Sequence, residues 1–97
     1  MATYDIYRGG PAYLVDVQSE FLDHLRTRMV IPLMETAQVP DPLARLHLEI
    51  VLDGKRYLLA TQLMTAVPVA LLSEKVATCV DRATDITDAI DFLLHGY

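Results

Sequence analysis

Asp53-Gly54, with alternating apolar and polar residues on either side, most constrains what this chain can fold into. Asp-Gly suits the two positive-φ positions of a type I′ turn, whose twist matches that of the strands it joins. Upstream, Leu46, Leu48, Ile50 and Leu52 alternate with His47, Glu49 and Val51; downstream, Lys55 to Leu63 runs back. A two-residue loop pairs Ile50 with Tyr57 and Leu48 with Leu59. The apolar side chains then share one face, and His47 falls on the polar, solvent-facing side. The pattern predicts a hairpin, and with it an antiparallel sheet.

Thr3 to Tyr7 and Ala12 to Val17 are β-prone runs around the turn signal Arg8-Gly9-Gly10-Pro11, which predicts an N-terminal hairpin. Met29 to Met34 is apolar on both faces and reads as a covered strand. Pro32 has no amide to give to a ladder, which points to an edge or a bulge. Val39-Pro40-Asp41-Pro42 reads as a bend, and Ala70 to Val80 as a turn or short helix. The last quarter predicts a helix with Thr84 as N-cap and Gly96 as the stop. Ile86, Ala89, Ile90 and Leu93 form its apolar stripe, opposite Asp85, Asp88 and Asp91. His95, Gly96 and Tyr97 then stand at a helix C-terminus, either folded back or offered to another molecule.

Ninety-seven residues make one domain, 1–97. A chain of that size buries roughly 65% of its unfolded surface and needs no metal or disulfide to fold. Yet 53% of its residues are apolar and mean hydropathy is +0.28. An oligomer interface is the expected outlet for that surplus. The single cysteine, Cys79, excludes an intramolecular disulfide and fits a reducing compartment. The N-terminus has no basic, apolar leader, and no run reaches the roughly 20 apolar residues of a membrane helix. A cytoplasmic protein without a membrane partner is expected. A net charge of −5 disfavours sequence-independent binding to phosphate backbones, so no direct nucleic-acid binding is expected either.

Little in the sequence has the form of catalytic chemistry. The carboxylates of the last helix lie opposite an apolar stripe and read as a solvated face. The three histidines are far apart with no ligand-spaced Cys or His, so neither a metal nor a cofactor is expected. Ser19, Asp23 and His24 are hydrolase residue types, but a triad is defined by geometry. Gly9-Gly10 lacks the lysine of a phosphate-binding loop. Cys79 reads as a packed small apolar residue, and Met29, Met34 and Met64 as core or interface. Arg26 and Arg28 form a small basic loop, either a solvated turn or a docking point for an acidic partner.

Three segments resemble the CcdB family of plasmid and chromosomal toxins. They are Val15-Asp16-Val17-Gln18-Ser19 running through Asp23 and Arg28 to Met29-Val30-Ile31-Pro32-Leu33; Thr65-Ala66-Val67-Pro68-Val69; and the helix ending Asp88 to Leu94 with His95-Gly96-Tyr97. They stand in the family's order, at nearly its spacing and in a chain of nearly its length, and the resemblance covers essentially the whole chain. The resemblance implies a mainly β fold, an SH3-like antiparallel sheet with a small accessory sheet and a C-terminal α-helix, assembled as a homodimer. It implies a toxin of a type II toxin–antitoxin system, involved in plasmid maintenance and not an enzyme. Such a toxin binds the DNA gyrase A subunit and traps gyrase on cleaved DNA, as a topoisomerase poison. A cognate antitoxin with a disordered segment wraps and releases it.

The family's gyrase contact centres on its last three positions, typically an aromatic, a glycine and an aliphatic. Gly96 matches; His95 and Tyr97 do not. Supporting contacts carry over to Ser19, Phe21, Leu22 and Asp91, of which Ser19 is identical to the best-known member. The departures leave open an altered gyrase preference or a loss of potency. Two other readings stand beside this one. One is a MazF-like endoribonuclease on the same fold, drawing on Arg26, Arg28 and His24. The other is a non-toxic relative that only binds antitoxin.

Overall fold

The computed structural model describes residues 2–96. Seven strands and one helix follow one another: β1 (Asp5–Gly9), β2 (Ala12–Asp16), β3 (Thr27–Glu35), β4 (Glu49–Leu52), β5 (Lys55–Leu59), β6 (Thr65–Pro68), β7 (Glu74–Thr78) and α1 (Ala83–His95). The strands form one curled antiparallel half-barrel in the order β4-β5-β3-β2-β1-β7, with β6 branching off β3. The fold is mainly β with a C-terminal helix, as expected. β6 belongs to the same seven-stranded sheet, so the expected small accessory sheet does not stand apart among the described residues.

Both expected hairpins form, the second in the expected register. Ile6 faces Val15 and Tyr7 faces Leu14 in the first. In the second, Ile50 faces Tyr57, and the Leu59 amide donates to the Leu48 carbonyl at 2.8 Å. Asp53 and Gly54 have φ of 52° and 77°, the pair of positive angles a type I′ turn demands.

Four further expectations need correction. Pro32 is at no edge: β3 is central, facing β6 over Thr27–Val30 and β5 over Leu33–Glu35. The Pro32 carbonyl accepts from the Ala60 amide on that same side, so the missing donor falls where one partner strand gives way to the other. His47 is buried, not solvent-facing, because the ladder begins only at Glu49. Its Nδ1 accepts the Leu43 amide at 2.9 Å, and its Nε2 lies 3.0 Å from Gln62 Oε1. Of the stretch expected as a turn or short helix, only Val69–Leu71 coils, as a 3-10 turn, and Glu74–Thr78 is a strand on β1. Thr84 is not the N-cap of α1, which is preceded by a 3-10 turn over Val80–Arg82 and entered from Arg82.

The sheet carries apolar residues on both faces. On one, Ile6, Val15, Ile31, Leu33, Ile50, Leu52 and Leu59 pack with Cys79 and with Ile86 of α1. On the other, Tyr7, Leu14, Val30 and Leu72 make a smaller cluster. Ile86 and Ala89 are buried and Ile90 half-buried, while Asp85, Asp88 and Asp91 stay exposed, so the helix sits as its apolar stripe dictates.

Candidate functional site

Between β2 and β3 the chain leaves the sheet at Val17 and returns at Thr27. The excursion starts as a 3-10 turn over Glu20–Leu22, with the Ser19 hydroxyl accepting the Phe21 amide at 3.2 Å. This short cap suits serine, whose oxygen competes well for a nearby backbone amide. It leaves Phe21 94% exposed, with Leu22 and Leu25 exposed beside it. The three apolar side chains lie within five residues of one loop, and it is such clustering, more than one wet ring, that marks interaction surfaces.

Ser19 and Phe21 line an open cleft of about 690 Å³ together with Thr3, Tyr4, Val17, Glu20 and Val80. Tyr4 was read only as part of a β-prone run, yet the strand starts at Asp5. Its φ of 71° is a left-handed conformation that costs a bulky residue roughly 1–3 kcal/mol. Backbone bonds hold it there: its amide donates to Asp16 at 2.6 Å, and its carbonyl accepts from Cys79 at 2.8 Å. No pattern in the sequence signals this, because the restraints come from Asp16 and Cys79, far apart along the chain.

The Tyr4 hydroxyl lies 3.2 Å from the Thr87 hydroxyl on α1. Asp91 and His95 follow Thr87 at four-residue steps, on the same side of the helix. Tyr4 thus links two groups of expected contact residues: Ser19, Phe21 and Leu22 in the loop, and Asp91, His95 and Gly96 at the helix end. Asp91 also borders a groove with Ala44, Arg45, Leu48, Asp85 and Asp88, where Arg45 stacks on Phe92 at 4.4 Å. The helix stops as expected. Gly96 takes φ 79° and its amide closes on the Phe92 carbonyl at 2.9 Å. Tyr97 lies outside the described residues.

Arg26 is exposed, but Arg28 is not, and this corrects its reading as a solvated or docking charge. Its guanidinium is fully buried against Asp16 Oδ2, with Nε at 2.9 Å and Nη2 at 2.7 Å. Nη1 bonds Asp23 Oδ1 at 3.1 Å and Nη2 the Gln18 carbonyl at 3.2 Å. Arg28 therefore presents no charge to an acidic partner or to an RNA groove. The Asp23 carboxylate that a triad would need is held by Arg28.

Burial pushes the Cys79 thiol up to about 11, which makes it a poor nucleophile. Among the described residues, no group of three or more His, Cys, Asp or Glu converges as a metal site. Nor is any of their helices long and apolar enough to cross a membrane. The expected contact residues Ser19, Phe21, Leu22, Asp91, His95 and Gly96 are all exposed, alongside a buried hydrogen-bonded base at Asp16 and Arg28.

A family model described as CcdB protein matches residues 3–96. The chain belongs to the CcdB family. Membership makes it a toxin of the toxin–antitoxin kind, in a family without catalytic activity of its own. The match spans both hairpins, the Ser19–Leu25 loop and the helix, so every CcdB segment singled out in the sequence lies within it apart from Tyr97.

Proposed function

We propose that this CcdB-family toxin poisons DNA gyrase: it binds the gyrase A subunit and holds the enzyme on cleaved DNA, acting by contact and not by catalysis. The observation that carries the reading is Phe21, almost wholly exposed on a capped turn within a CcdB-family chain. Ser19, Leu22, Asp91, His95, Gly96 and Tyr97 complete the proposed contact surface. The working form is a homodimer of SH3-like protomers, since a two-fold wedge fits a two-fold enzyme. Leu63, Leu93 and Leu94, exposed on and beside α1, support such pairing. A cognate antitoxin with a disordered segment is the second partner, and the setting is the cytoplasm.

A cleavage assay tests this. Protein, gyrase, ATP and supercoiled plasmid are mixed, then quenched with detergent and protease. Linear DNA above the toxin-free control is the expected result. Its absence with gyrases from several bacteria, given a folded protein, refutes the reading. Deleting residues 95–97 should abolish the linear product with little change in melting temperature, because His95 and Gly96 are exposed. A large fall in melting temperature would mean that these residues serve the fold.

A further inference from the structure

We infer that Gln18 and Arg28 are positioning residues for the contact loop. They clamp residues 19–26 into one conformation and so present Phe21 as a preformed anchor; the identity of the partner rests on the gyrase reading above. A ring 94% exposed receives little support from its own contacts, so whatever fixes it must act through the loop backbone.

The Gln18 carboxamide spans the mouth of the loop. Its Nε2 donates to the Leu22 carbonyl at 3.1 Å and to the Thr27 carbonyl at 3.2 Å, while Oε1 accepts the Met29 amide at 3.0 Å. One side-chain amide thereby does what a neighbouring strand's peptide group would do, tying the loop to both of its stems. Its own amide donates to Asp16 Oδ1 at 3.0 Å, and its carbonyl accepts from Thr3 Oγ1 at 2.7 Å.

Arg28 grips the same loop from beneath. It reaches the loop's entry at the Gln18 carbonyl and the end of its turn at Asp23, while its other contacts anchor on buried Asp16. Within the loop, the Leu22 amide donates to Ser19 at 3.0 Å and the Leu25 amide to Leu22 at 3.1 Å. Few loop torsions remain to be fixed on binding. An anchor ordered beforehand binds more tightly than one that must be ordered at the moment of contact.

Gln18→Glu tests this with little change of size. It keeps an acceptor for Met29 but turns an oxygen toward the Leu22 and Thr27 carbonyls. Gln18→Met is a second, uncharged variant should the first fail to fold. Affinity for purified gyrase A subunit should fall about tenfold. Phe21→Ala should also weaken binding, and the double variant should lose less than the sum of the two single losses, because Gln18 acts mainly through Phe21. Unchanged affinity in the Gln18 variants, or additive losses, would overturn the proposal.

If the wild-type protein does not bind gyrase A, the gyrase reading fails, and amide exchange decides the positioning claim by itself. Exchange at Phe21, Leu22 and Leu25 should then quicken about tenfold or more in Gln18→Glu, with Val15 and Ile31 unchanged. Equal exchange in the loop of both proteins would overturn it.

Discussion

Replacing Arg28 with methionine should be among the most damaging single changes to this fold. Arg28 and Asp16 both have fully buried side chains, and the guanidinium meets the Asp16 carboxylate through two nitrogens. Methionine fills part of the volume but leaves the carboxylate enclosed with only the Gln18 amide at Oδ1. Breaking a buried pair by removing one partner costs about 3–5 kcal/mol, because a desolvated charge is left uncompensated. Domains of this size have about 5–15 kcal/mol of stability in total. At roughly 4–8 °C per kcal/mol, the melting temperature should fall by about 12–40 °C.

The assay is urea unfolding followed by circular dichroism, at one protein concentration so that any association affects both proteins alike. Adding Asp16→Asn should restore at least about 2 kcal/mol, since asparagine keeps the acceptor for Gln18 and carries no charge. Two results would refute the reasoning. One is a cost below about 1 kcal/mol for Arg28→Met, the value of a solvated pair. The other is a double variant whose loss equals the sum of the single losses.

The Cys79 thiol, raised from 9.0 to about 11 by burial and shielded from reagent, should react with iodoacetamide at pH 8 at least about a hundredfold more slowly in the folded protein than in urea. The folded state keeps this proton where the unfolded chain loses it. The Cys79 contribution to stability should therefore be complete below pH 9 and vanish as pH rises through 9 to 11, and Cys79→Ala should flatten that part of the curve. His47→Ala removes the acceptor of the Leu43 amide and the partner of Gln62, at a cost of about 1–3 kcal/mol. Faster exchange of the Leu43 amide would register it, and an unchanged rate would mean that water takes the place of the ring.

What was legible in the sequence was local. Asp53-Gly54 set both the turn and the register of β4 and β5, and Gly96 marked the end of α1, because each depends on torsions within a few residues. β7 was missed because Glu74–Thr78 is short and half wet and becomes a strand only by pairing with β1. Arg28 looked like a surface charge, since sequence alone does not say that Asp16, on β2, lies beneath it. His47 was misplaced by extending the alternation of β4 three residues too far upstream. The candidate contact positions 19, 21, 22, 91, 95 and 96 came from the family resemblance, and the structure adds that all six are exposed. The strained Tyr4 and the Gln18 clamp did not come from it, because both are products of tertiary contacts.

The pairing of β1 with β7 has a kinetic consequence. Asp5–Arg8 and Glu74–Thr78 belong to the first and last strands, so their ladder closes the longest loop in the sheet. Closing a ladder over such a separation carries the largest loop-closure entropy in the sheet, and β7, like β4, lies at its edge. Cys79 sits at the foot of that ladder, its amide and thiol both on the Tyr4 carbonyl. Each opening of the seam would uncover the chain's only thiol and slacken the tyrosine that borders the Phe21 cleft. The labelling rate of Cys79 under native conditions should therefore report how often the β1–β7 seam opens.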